Sequence, residues 1–231
     1  MTHVFLVPNW FFYYGIACEL IFALVTLIGG IFSFKLYKLC NYYSIKVFSI
    51  SFLFFSLSYI VQTLINLEIL SNISEASFSL TQWNNITSLS IISFYIYISL
   101  FILGLVTLTY MTLKERNIKH YALLLVLAFA GVLLSLNKIF AFRLISAILF
   151  FFILLHFFKN YAVRKSVNSL LVMVAFFLLM MASSVYIFAL QYSTAYVIGH
   201  ILEFSAYLLI AINFIMLVKN AKKARQTSCN I

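Results

Sequence analysis

Residues 121–136, YALLLVLAFAGVLLSL, decide the fold class, because they contain no charged side chain and no regular alternation of apolar and polar residues. A strand of a membrane β-barrel would alternate with a period of two. A continuous apolar run is instead typical of a helix in a lipid bilayer, where a helix satisfies its own backbone hydrogen bonds. The segment therefore predicts helices rather than strands.

The composition of the whole chain agrees with this prediction. Its 231 residues are 65% hydrophobic and only 9% charged, and the mean hydropathy is +1.10. Soluble domains carry about 25% charged residues. We therefore predict an all-α, polytopic membrane protein with one transmembrane domain over residues 1–218 and a basic tail at 219–231. The seven predicted spans lie near residues 10–34, 47–67, 88–113, 121–136, 139–158, 167–190 and 195–218.

The fourth of these spans is the shortest. A bilayer crossing takes about 20 apolar residues, and only Asn137 and Lys138 separate this segment from the fifth span. Fusion of the two segments would give six spans. Seven spans are favoured because they place 13 of the 15 Lys and Arg residues on one face of the membrane, and six would scatter them.

This charge distribution also predicts the orientation. The basic face is expected in the cytoplasm, so the N-terminus lies outside and the C-terminus inside. The longest connection, residues 68–87, carries two glutamates, no basic residue, and N-x-Ser/Thr sequons at Asn72 and Asn85, as expected for an external loop. The formal net charge of +10 then indicates contact with anionic headgroups at the cytoplasmic face, and nucleic acid is not an expected partner.

Several kinds of chemistry are excluded by residues that the sequence lacks. All five acidic residues are glutamates, so mechanisms that need an aspartate are ruled out. No Gly-rich phosphate loop occurs, and the seventh span has no lysine for a retinal Schiff base. We therefore expect neither an enzyme nor a cofactor. Abundant Lys, Ile, Asn and Phe suggest an AT-rich genome, and we expect a multi-pass protein of a prokaryotic cell membrane.

Ionisable side chains within spans are candidates for a functional site. Glu19 and Glu203 each lie roughly 13 Å from the outer ends of their spans, and His200 and Arg143 are nearer the outer surface. On the seventh span, Tyr196, His200, Glu203 and Tyr207 share one face because their spacings are four, three and four. If the first and last helices are neighbours, these side chains converge in the outer half of the bilayer.

We therefore predict an outward-facing polar pocket for a small ligand or a proton. Its predicted residues are Glu19, Gln62, Arg143, His200, Glu203 and Tyr207. A second interpretation is a metal site with Glu19, His200 and Glu203 as ligands. A third is a hydrogen-bond network that only holds the helices together.

Residues 30–67, GIFSFKLYKLCNYYSIKVFSISFLFFSLSYIVQTLINL, combine a basic and aromatic Lys-x-x-Lys turn with a second apolar segment that contains Ser-Leu-Ser-Tyr. This stretch resembles the first helical hairpin of the seven-helix membrane sensor regions found at the N-termini of some prokaryotic histidine kinases. The resemblance implies a sensor-like module. No kinase domain follows, so the output is expected from a separate signalling or membrane-complex subunit.

Three functions are therefore considered. The first is a receptor-like or sensor-like module, in which a ligand or proton shifts the helix packing. The second is a small secondary transporter or ion pathway, although the spans contain no proline break of the kind found in many transporters. The third is a structural or assembly subunit of a membrane complex.

Overall fold

The structure, a computed structural model, describes residues 9–74, 80–113, 117–189 and 192–228. All regular secondary structure within these ranges is α-helical. In chain order the helices are α1 (Asn9–Cys40), α2 (Tyr43–Ser74), α3 (Leu80–Leu113), α4 (Ile118–Leu133), α5 (Lys138–Arg164), α6 (Val167–Phe188) and α7 (Ser193–Ser228).

The helices confirm the predicted class of protein. In the described ranges, six helices are long and apolar enough to cross a membrane, and α4 is a shorter apolar helix of 16 residues. At 1.5 Å per residue α4 is about 24 Å long, against a hydrocarbon core of about 30 Å. The chain is therefore a multi-pass helical membrane protein. That α4 also crosses the membrane stays a prediction.

The six long helices form a closed ring. Each packs against the next in the order α1, α2, α3, α5, α6 and α7, and α7 packs back against α1. Because α3 contacts α5 directly, α4 lies outside this ring against those two helices. Its outward side chains Leu123, Val126 and Leu127 are each more than 60% exposed. The predicted bundle of seven helices is thus a ring of six with α4 at its periphery.

A short polar turn separates α4 from α5. The predicted fourth span ran to Leu136, but α4 ends at Leu133, and Leu134 makes the last backbone bond to Ala130. The Oδ1 atom of Asn137 accepts a hydrogen bond from the backbone N–H of Phe140 and so caps α5. Asparagine favours such caps because its side chain competes with helical backbone bonds. The break therefore lies where Asn137 starts a new helix.

Several helices extend beyond the predicted spans. The connection at 68–87 was expected to be a loop, but α2 continues to Ser74 and α3 begins at Leu80, so both sequon asparagines lie in helices. The tail is likewise helical as far as Ser228. These segments contain no Gly or Pro, and an established helix adds further residues at low cost. Residues 75–79 and 229–231 lie outside the described ranges.

Small residues bring α1 and α2 together. The Ser49 hydroxyl donates to the Gly30 carbonyl at 2.7 Å, and the Ser56 hydroxyl donates to the Ala23 carbonyl at 3.0 Å. A Cβ atom on Gly30 would lie 3.0 Å from Leu53 Cδ2. Such contacts, rather than a hydrophobic force, hold helices together inside lipid.

A glycine at the α2–α3 contact provides a test of this packing. A Cβ atom on Gly104 would lie 2.8 Å from the Phe55 ring and 3.1 Å from the Ser51 carbonyl oxygen, whereas one on Gly15 would meet nothing within 4 Å. We expect Gly104→Ala to lower the free energy of unfolding by about 1–3 kcal/mol through overpacking. Gly15→Ala is the matched control and should be neutral or stabilising. Thermal unfolding in detergent measures both, and equal stability of the two variants would contradict the proposed close contact.

Candidate functional site

The Glu203 carboxylate on α7 is the centre of the buried polar cluster. Its Oε1 atom accepts a hydrogen bond from the Tyr59 hydroxyl on α2. Its Oε2 atom accepts one from the Tyr186 hydroxyl on α6 at 2.8 Å. All three side chains are less than one-tenth exposed. One carboxylate therefore links three helices through two buried hydrogen bonds.

A second hydroxyl on α7 extends this network. Tyr207 lies one turn along from Glu203, and its hydroxyl is 2.9 Å from that of Tyr59. The Phe22 ring of α1 packs against both tyrosines, with its centroid 4.8 Å from that of Tyr207 and 5.5 Å from that of Tyr59. The cluster therefore has an apolar wall on the side of α1.

Arg143 on α5 reaches the cluster through an aromatic ring. Its Cζ atom is 4.1 Å from the centroid of Tyr186 and 5.2 Å from that of Phe142. A guanidinium over an aromatic face is a cation–π contact, worth about 2 kcal/mol when it is desolvated. Arg143 is also close enough to Tyr97 on α3 to interact with it electrostatically. Because Tyr186 donates to Glu203, its side chain lies between the positive and the negative group of the site.

Glu19 on α1 provides a second buried carboxylate. The side chain is 7% exposed, and its Oε2 atom accepts a hydrogen bond from the Asn66 amide on α2 at 2.8 Å. Glu19 is close enough to Glu203 and Arg143 to interact with both electrostatically. The two glutamates approach each other because α1 packs against α7, as the sequence predicted for a closed ring.

His200 lies one turn before Glu203 on α7, among aromatic rings. Its ring centroid is 4.6 Å from that of Tyr196 and 5.5 Å from that of Tyr186, both in edge-on geometry. On the α1 side the ring stacks on Phe22 at 6.5 Å. The imidazole is 6% exposed, so it is enclosed with the two carboxylates rather than open to an aqueous pocket.

A glycine allows α6 to approach this part of α7. A Cβ atom on Gly199 would lie 2.6 Å from Cε1 of Tyr186, closer than real Cβ contacts come. The missing side chain therefore makes room for the Tyr186 ring, whose hydroxyl then reaches Glu203. Gly199 shapes the site although it carries no polar side chain.

Five of the six predicted site residues lie in or against this cluster, and Gln62 is the exception. Gln62 is half-buried, but in the described part of the chain the amide that bonds Glu19 is that of Asn66. Asn66 was not among the predicted site residues, although it lies one helical turn from Gln62 on α2. Tyr59, Tyr97 and Tyr186 were not predicted either, because tyrosines are also common at membrane interfaces and their type alone does not indicate a site.

The proposed metal ligands do not form a metal site in this structure. Within the described residues, no group of three or more His, Cys, Asp or Glu side chains is arranged to hold a metal ion. The geometry gives a reason, since tyrosine hydroxyls bond both oxygens of Glu203 and the Asn66 amide bonds Glu19. The cluster is thus built from hydrogen bonds and aromatic contacts.

Comparison of the chain with known protein families, characterised proteins and solved structures finds no match. The class of the protein therefore rests on its own features. These are six long apolar helices in a closed ring and a buried cluster of two carboxylates, a guanidinium, an imidazole and several tyrosines.

The contribution of the Tyr186 hydroxyl can be measured directly. Tyr186→Phe keeps the ring that contacts Arg143 but removes the donor to Glu203. A hydrogen bond to a charged group contributes about 1.5–3 kcal/mol, so we expect a loss of unfolding free energy in that range. The control is Tyr13→Phe, because Tyr13 is 64% exposed. If the two variants unfold at the same temperature in detergent, Tyr186 does not hold Glu203 as described.

Proposed function

We propose that the protein is a sensor-like membrane module, in which a proton or a small cationic ligand acts on the cluster around Glu203 and changes the packing of α7. The observation that carries this proposal is the pair of hydrogen bonds that Glu203 accepts from Tyr59 and Tyr186. A change at one carboxylate therefore changes the contacts between α7, α2 and α6 at once.

The charges of the cluster support a proton or a small cation as the stimulus. Glu19 and Glu203 can carry two negative charges, and Arg143 supplies one positive charge. An unbalanced charge in a low-dielectric interior costs several kcal/mol, so the arrangement favours a proton or a small cation that restores neutrality. The proposal requires that such a ligand bind two packing states of α7 with different affinities, because only then does it shift the populations of the two states.

Helix α7 provides a route for the signal. It runs without interruption from Ser193 to Ser228, so about 37 Å of helix separates Glu203 from Ser228. The last part of this helix carries Lys219, Lys222 and Lys223. A shift of α7 at the cluster would therefore move a basic helical segment, which we propose as the contact with a separate signalling subunit. The resemblance of residues 30–67 to the sensor regions of histidine kinases supports the same function.

The proposed orientation places the cluster in the outer half of the bilayer of a prokaryotic cell membrane. The end of the bundle where α1 begins is outside, and the end where α7 finishes is in the cytoplasm, where most basic residues lie. In this arrangement α4 crosses the membrane despite its length, because a short span is accommodated by local thinning of the bilayer.

Thiol labelling tests this topology. In a variant without native cysteines, Leu136→Cys places a thiol in the turn between α4 and α5, where Leu136 is fully exposed. Lys165→Cys places one in the turn between α5 and α6. We expect a membrane-impermeant maleimide to label the first but not the second in intact cells. The reverse pattern, or labelling of both, would contradict the proposed topology.

The sensor proposal is tested with a fluorophore at the native Cys229, after Cys18 and Cys40 are replaced by Ala. We expect the fluorescence of the reconstituted protein to change with pH or on addition of a small cation. Glu203→Gln should abolish the response without unfolding the protein. Glu68→Gln is the matched control, because Glu68 is an exposed glutamate near the end of α2. An unchanged response in Glu203→Gln would exclude Glu203 as the sensing group.

A proton pathway is the second candidate function. It is favoured by the hydrogen-bonded series from Tyr207 through Tyr59 and Glu203 to Tyr186, because such a series can pass a proton. Vesicles that contain a pH-sensitive dye separate the two functions. Proton flux that Glu203→Gln abolishes would indicate a pathway, whereas a conformational response without flux supports the sensor.

A further inference from the structure

An apolar groove lies on the outer surface of the bundle between α5 and α6, away from the polar cluster. It has a volume of about 380 Å³ and is lined by Leu154, Leu155, Phe158, Met173, Val174 and Phe177. Leu155, Phe158 and Phe177 are 40%, 56% and 45% exposed. The groove therefore opens to the surroundings of the protein, which at this depth are lipid chains.

The depth of the groove, measured from the α5–α6 turn, places it within one leaflet of the bilayer. Phe158 lies six residues before the end of α5, and Met173 lies six residues after the start of α6. Leu154 and Phe177 are ten residues from the same two helix ends. The groove thus extends from about 9 to about 15 Å from the α5–α6 turn. This depth matches the upper half of an acyl chain whose headgroup lies at the turn.

The turn at the end of the groove is basic. Lys159 follows Leu155 by one helical turn on the same face of α5, and Lys165 caps this helix; both lysines are exposed. Arg164 precedes Lys165 in the sequence, and residues 138–188 contain no acidic residue. Within α5 and α6 the charge beside the groove is therefore positive, which is complementary to a phosphate headgroup.

From this juxtaposition we propose that the groove binds one acyl chain of an anionic phospholipid, whose headgroup is held by Lys159 and Lys165. This lipid occupies a defined site, in contrast to the lipids that contact the rest of the surface. The α5–α6 pair also carries Arg143 and Tyr186, so the bound lipid supports the two helices that hold the positive side of the polar cluster.

Tryptophan quenching by brominated lipids tests this site. In a background with Trp10→Phe and Trp83→Phe, Phe158→Trp places a fluorophore in the groove. The protein is reconstituted in phosphatidylcholine vesicles that contain some phosphatidylglycerol, with bromine on one lipid or the other. We expect brominated phosphatidylglycerol to quench this tryptophan more strongly than its share of the lipid predicts.

Leu123→Trp on α4 is the matched control. Leu123 is 67% exposed, lies at a similar distance from its helix end, and has Lys119 one turn away on an open helix face. It therefore reports attraction by a lysine on an exposed helix face, away from the groove between α5 and α6. Quenching at position 158 should show a clearly larger preference for phosphatidylglycerol than quenching at position 123.

Two variants separate the contributions of charge and shape. The double variant Lys159→Gln/Lys165→Asn should reduce the preference for phosphatidylglycerol roughly fivefold for each lysine removed. Asparagine is chosen at position 165 because it suits the left-handed conformation of that residue. Val174→Phe fills the groove and should reduce the preference to the level of the α4 control. High salt should weaken the preference in the parent protein.

Three results would overturn the proposal. If the tryptophan at position 158 shows no larger preference for phosphatidylglycerol than the tryptophan at position 123, the groove holds ordinary surrounding lipid. If the preference for phosphatidylglycerol remains after both lysines are replaced, Lys159 and Lys165 do not hold the headgroup. Protection of the tryptophan from both lipids would mean that protein, such as a second copy of the chain, covers the groove.

Discussion

The two hydrogen bonds that Glu203 accepts from Tyr59 and Tyr186 constrain the rest of the molecule. A carboxylate deep in a bilayer is tolerated only if donors or an opposite charge surround it. The chain meets this requirement with donors from two helices and with Arg143 over the ring of one of the donors. Any arrangement that separates α2, α6 and α7 leaves Glu203 without these partners, so the polar cluster selects one packing of the ring.

Close helix packing is needed to bring these hydrogen-bond partners to Glu203. Gly199 admits the Tyr186 ring between α6 and α7, and Gly29 is close enough to Phe214 that a Cβ atom there would lie 2.6 Å from that ring. Serine hydroxyls join α1 to α2 through backbone carbonyls. In lipid, such contacts supply specificity that hydrophobic burial cannot, because the surroundings are as apolar as the core. These contacts stabilise the bundle, while the choice of one helix arrangement still depends on the Glu203 carboxylate.

Much of the fold could be predicted from sequence, because apolar runs and charged breaks report directly on helices in a membrane. Five of the six predicted site residues lie together, since spacing along α7 and depth in α1 follow from helix geometry. The partners were harder to identify. Tyr59 and Tyr186 look like ordinary apolar or interfacial tyrosines until the helix rotations are known. Gln62 and Asn66 are one turn apart on α2, and only the rotation of that helix decides which amide reaches Glu19. The peripheral place of α4 depends on the direct contact of α3 with α5, which no local pattern encodes.

A double-mutant cycle between Tyr59 and Glu203 tests the central claim most directly. Thermal unfolding in detergent is measured for the parent protein, Tyr59→Phe, Glu203→Gln and the double variant. Residues that share a buried hydrogen bond show coupling energies of about 0.5–3 kcal/mol. We predict a coupling of at least about 1 kcal/mol, since the bond is buried and has a charged acceptor. Additive effects of the two substitutions would show that Glu203 does not tie α7 to α2 and would contradict the account.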